Sequence, residues 1–151
     1  MSKQEDANLI LKLYDLRREA VMREARNWFF TFNPTSIQDF IDVMFSDKGA
    51  YYRMVVSYWE MAAAMVNHGA IDEQMFADVN GEHLFIYLKI QPFIPELKTA
   101  FKLPEYLPHL EKLVNRIPEV ETRLAEMRER MKSMMAMRDE RMKAQAAAAA
   151  N

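Results

Sequence analysis

The sequence has no cysteine, which removes disulfide frameworks, thiolate metal sites and cysteine nucleophiles from consideration. It has three glycines, Gly49, Gly69 and Gly81, each isolated from the others. A phosphate-binding loop needs glycines clustered ahead of a helix, so that backbone N–H groups can reach the anion, and that reading fails. No stretch approaches the roughly 18 consecutive apolar residues of a membrane span. The best candidate, Leu84 to Ile94, is short and contains Lys89, Gln91 and Pro92. The opening residues, Met1 to Asp6, lack the basic-then-apolar signature of a secretory signal, so a cytoplasmic chain is expected. Ser57 and Ser133 lack a Gly-x-Ser-x-Gly context, and no nucleophile triad suggests itself. Strand signals are missing too, since Asn80-Gly81 is flanked by helical residue types rather than by alternating strands.

What remains is a chain of 151 residues, 50% hydrophobic and 11% aromatic. A globule of that size buries roughly 68–70% of the surface its unfolded chain exposes, enough for one core without a staple. The net charge of −2 is unevenly spread. Between Arg123 and Lys143 seven basic residues face four acidic ones, a local +3 that leaves −5 on the preceding body. Such separation favours head-to-tail association or an anionic partner, and is too small to imply nucleic acid.

Apolar spacing predicts helices throughout. Ile10, Leu13, Tyr14, Val21, Ala25, Trp28 and Phe32 form one stripe over Gln4 to Phe32, interrupted at Arg17-Arg18 and stopped by Asn33-Pro34. Thr35 with Gln38, or Ser36 with Asp39, offers a capping box for a second helix. Ser46-Asp47 opens a third, expected from Lys48 to His68, and Gly69 stands where a left-handed cap is wanted. Asp72 caps a short helix, stapled by Ile71 and Phe76, and another follows Asn80-Gly81. Pro95-Glu96, Pro104-Glu105 and Pro118-Glu119 each mark a helix start, because proline at the first position forfeits no needed N–H. Pro108 reads as a kink. The last helix is expected from Pro118 to about Lys143, roughly 39 Å long, with Ala146–Ala150 fraying beyond it. These elements imply an all-α fold: an antiparallel bundle of five to seven helices over residues 4–117, an amphipathic helix over 118–145, and a tail over 146–151.

The search for chemistry is mostly negative. No histidine follows a glutamate at di-iron spacing, and His68, His83 and His109 lie in separate segments, so no metal or other cofactor is expected. The rhythm of residues 54–90 suggests a helix-turn-helix, but its second element, Asp72 to Val79, is acidic and would repel phosphate. Glu60, beside Trp59 in an apolar helix, is the acid of most interest. Its plainer reading is a solvated glutamate or a partner for an arginine of the first helix. The region with the best claim to bind is the last helix, where Leu124, Met127, Met131, Met134 and Met135 recur at helical spacing among alternating charges. Methionine suits surfaces that accommodate another helix. Two other readings stand beside that one: a helix packed on its own domain, and a basic helix on an anionic membrane, weakened by interspersed acids and missing aromatics.

The segment Tyr58-Trp59-Glu60-Met61-Ala62, continued through Val66-Asn67-His68-Gly69-Ala70-Ile71-Asp72-Glu73-Gln74-Met75-Phe76, resembles one in a family of small bacterial all-helical proteins of unknown function. Extended to Lys89-Ile90-Gln91-Pro92, the resemblance covers about a quarter of the chain. It implies a bacterial helical domain and carries no activity. The functional expectation is a non-enzymatic interaction or scaffold protein, a homo-oligomer through its last helix, its first helix or both, or a partner binder through its last helix. The competing expectation is an enzyme or small-ligand sensor whose pocket gathers Trp28, Tyr58, Trp59, Tyr87 and Glu60.

Overall fold

The computed structural model describes residues 2–151. Helix α1 (Lys3–Arg17) starts with a reciprocal capping box between Ser2 and Glu5. The single helix expected over residues 4–32 is instead two, because the chain breaks at Arg18-Glu19 and restarts as α2 (Ala20–Thr31). Glu19 makes the break: its carboxylate accepts from the N–H groups of Val21 (3.1 Å) and Met22 (2.9 Å). The carbonyls freed at the end of α1 are taken up by arginines of α2, Arg23 on Arg18 O (2.8 Å) and Arg26 on Arg17 O (3.2 Å).

Asp39 opens α3 (Ile37–Met44) by accepting from the Thr35 and Ser36 N–H groups. Helix α4 (Gly49–Asn67) follows a turn in which Ser46 accepts from the Lys48 N–H, and ends at Gly69, whose φ of +80° only glycine adopts cheaply. Asp72 caps α5 (Glu73–Val79) through the Met75 N–H. Then come α6 (Glu82–Ile90), a single 3₁₀ turn (Gln91–Phe93), α7 (Ile94–Phe101), which starts at the Pro95-Glu96 pair, and α8 (Pro108–Asn115). Among the described residues, eight α-helices thus build the unit that ends at Arg116, rather than five to seven.

Helix α4 is the axis of that unit, packed against α2 and α8, with α3 and α5 beside it. Trp59, Val55, Ala62 and Tyr52 are buried along it. Phe29, Phe32, Phe40 and Tyr52 meet mostly edge to face, Phe32 and Phe40 at 5.3 Å and 87°, the arrangement the ring quadrupole favours. Two polar tips in the core are answered by backbone: the Tyr58 hydroxyl donates to the Leu13 carbonyl. Lys89, buried in α6, donates to the carbonyls of Phe29 (2.8 Å) and Phe30 (3.2 Å) near the end of α2. Burial pushes that ammonium down to about 8.

Residues 117–151 form a second unit, dominated by α9 (Val120–Ala150). It begins at Val120, two residues after Pro118, behind an N-cap Glu119 in left-handed geometry (φ 54°). It continues through Ala146–Ala150, expected to fray, since alanine has the highest helix propensity. No helix among the described residues is long and apolar enough to cross a membrane.

Candidate functional site

The Glu60 carboxylate is answered by backbone N–H groups rather than by an arginine. Helix α8 opens on Pro108, which has no N–H, after Leu107, which brings no capping side chain. The next two N–H groups, of His109 and Leu110, therefore need an acceptor from elsewhere. Glu60 supplies it from α4, with Oε2 at 3.0 Å from the His109 nitrogen and Oε1 at 2.7 Å from that of Leu110. A carboxylate so placed also meets the positive end of the helix dipole. Glu60 is a cap supplied across the fold.

The same carboxylate stands in the wall of an open, largely apolar groove of about 950 Å³. One wall is α4, with Arg53, Met54 and Ser57. The other is the irregular segment 102–107 with Phe101, and Met44 and Phe45 close one end. Segment 102–107 is bracketed by two non-glycine residues in the left-handed region, Lys102 (φ 53°) and Leu107 (φ 49°). Each costs on the order of 1–2 kcal/mol. The segment is held by the Tyr106 and Tyr52 hydroxyls, 2.6 Å apart, and by the cap on α8. Burial raises both tyrosines, Tyr52 well above its ordinary range. Pro104-Glu105, expected to begin a helix, lies in this segment, and Pro108, expected to kink one, begins α8. Strained backbone beside a concave apolar surface is a pointer to function. Periodicity passes over it because the segment has no period; two prolines four residues apart were its only signal.

The aromatic pocket expected around Glu60 is not assembled in this groove. Trp59 and Tyr87 are buried core, Tyr58 is tied to α1, and Trp28 stacks on Phe32 at 5.2 Å beside a different hollow. Tyr52 and Tyr106 line the groove in their place.

The histidines serve separate surroundings. His83 is 4% exposed between Trp59 and Phe76, its Nδ1 without a partner, and desolvation drives it down to about 4. Beside it in sequence, Glu82 accepts from Arg26 Nε (3.0 Å) and forms an ion pair with Arg17 at 3.6 Å. The His68 and His109 rings lie 5.6 Å apart, and the Asn67 amide is 3.2 Å from His109 Nδ1. Among the described residues, no group of three or more His, Asp or Glu side chains is placed to hold a metal ion.

Of the methionine stripe on α9, Leu124 and Met127 are buried, Met131 and Met135 half-buried, and Met134 is 66% exposed. Met137 and Met142 are exposed as well.

Residues 3–117, the whole eight-helix unit, match the family described as a domain of unknown function (DUF4760), and the chain belongs to that family. No curated protein and no solved structure matches the chain.

Proposed function

We propose that this DUF4760 chain is a non-enzymatic interaction protein that self-associates through the C-terminal part of α9. One observation carries the reading: the apolar stripe that starts with buried Leu124 and Met127 runs on through half-buried Met131 and Met135 to exposed Met134 and Met142. Uncovered methionine on a helix is adaptable contact area, since the unbranched thioether repacks against many shapes. An isolated helix is also marginal in water, and tertiary contact is what normally sustains one. A partner on that face supplies both needs.

Light scattering on the full chain over a concentration series tests this. Association gives a mass above the 17.8 kDa of one chain, and Met134→Glu with Met142→Glu returns it to one chain. A wild-type protein that stays at one chain at every concentration overturns the reading.

A further inference from the structure

The exposed methionines of α9 share their face with arginines. Residues three, four or seven apart lie on one side of a helix, and residues two apart lie on opposite sides. Arg138 is four residues from both Met134 and Met142, and Arg128 is three from Met131 and seven from Met135. Arg141 is seven from Met134. Glu129 and Glu140 are two from Met131 and Met142, and so fall on the other side, while Asp139, four from Met135 and three from Met142, is the one acid on the methionine side against Arg128, Arg138 and Arg141. The face is therefore both apolar and basic. Two such faces laid together would oppose arginine to arginine, which disfavours pairing α9 with α9. The surface that fits must be apolar and acidic.

The groove between α4 and segment 102–107 has that character. Its apolar wall includes Met54, Leu103 and Phe45, the last 83% exposed. Glu60 and Glu105 stand in the wall against the single base Arg53 among its lining residues. Asp42 and Asp47 flank Met44 and Phe45 in sequence, with one base, Lys48, after them. The groove is open to solvent rather than enclosed, so it can take a side of a larger partner. The unit that carries it is acidic overall, while residues 123–143 are basic.

Resting on the reading of α9 as an association surface, we infer that the partner is a second copy of this chain, and that α9 of one copy lays its methionine–arginine face into the groove of the other. The contact is heterologous, helix to groove, and closes into a dimer when two copies exchange helices reciprocally.

Complementation between full-length variants decides it. Phe45→Glu spoils the groove and leaves α9 intact; Met134→Glu with Met142→Glu spoils the helix and leaves the groove intact. All three positions are exposed, and circular dichroism checks that each variant is folded. By light scattering at a concentration where wild type associates, each variant alone is a single chain, and an equimolar mixture of the two associates again. Glu105→Lys, a charge change on an exposed wall residue, weakens wild-type association about tenfold or more. If Phe45→Glu associates like wild type, or the mixture stays monomeric, the groove is not the receptor and this inference fails while the role of α9 stands. If wild type itself never associates, both fail. If the methionine variant loses binding to vesicles of anionic phospholipid while Phe45→Glu keeps it, the acidic surface is a membrane and the groove inference fails.

Discussion

His83 shows how much one side chain can attach this fold to pH. Its imidazole lies against Trp59 and Phe76, where desolvation lowers it from an ordinary 6.5 to about 4. In the unfolded chain the same ring takes a proton near pH 6.5, whereas the folded chain refuses it until about pH 4. Stability therefore falls as pH falls through that window, by on the order of 3 kcal/mol from this group alone. Urea midpoints measured from pH 7 to pH 4 should drop steeply for wild type and less steeply for His83→Gln. Equal slopes would mean that the ring is not the group being titrated. Glu60 makes the complementary case of a charge that is used. Glu60→Ala leaves the His109 and Leu110 N–H groups without their acceptor and costs about 1–3 kcal/mol. Glu60→Gln keeps an acceptor oxygen and should cost less. Hydrogen exchange at the Leu110 amide separates the two, since only the alanine variant should release it.

At the scale of elements, caps and strained turns set the boundaries that periodicity alone misplaces. Gly69 at φ +80° closes α4, with open space around the position of a Cβ, so Gly69→Ala tests backbone strain alone. It should destabilise the protein by about 1 kcal/mol. Lys102, exposed at φ 53°, is the mirror case, and Lys102→Gly should stabilise it by a similar amount. Thermal midpoints that move in the same direction for both would remove strain as the explanation. The same features show what was legible beforehand. Ser36-Asp39, Ser46, Gly69 and Asp72 announce themselves because the side chain that ends or starts the helix lies within three residues of it. The break at Arg18-Glu19 was hidden because the apolar stripe runs on across it, and because arginines five and nine residues away cap the freed carbonyls. The start of α8 was hidden for a related reason: its cap comes from Glu60, 49 residues earlier. Long-range caps leave no local pattern, and the groove they shape is invisible for the same reason.

For the whole molecule, stability should be unequal between the unit built on α4 and the far part of α9. The first buries Trp59, Tyr52, Phe29 and Leu110 almost completely. Beyond Met127, α9 has no buried residue, and Glu129 to Lys132, at 3.4 Å, is an exposed pair of the kind that contributes little. Helices without tertiary cover open and close with free energies near zero, whereas core amides open only with global unfolding. Hydrogen exchange on the full chain at two concentrations turns this into a test. In dilute solution the amides of residues 132–150 should exchange within seconds, while those of Val55, Trp59 and Ile86 stay protected. At a concentration where chains associate, protection should rise across Met131 to Met142 and leave the core amides unchanged, because a partner helps only the part it covers. Raising the salt should reverse that gain, since Arg138 and Arg141 beside the methionines are exposed and screened over roughly 8–10 Å at ordinary ionic strength. Protection of residues 132–150 that is already high in dilute solution and indifferent to concentration would mean the helix is sustained within one chain, and the methionine stripe would no longer call for a partner.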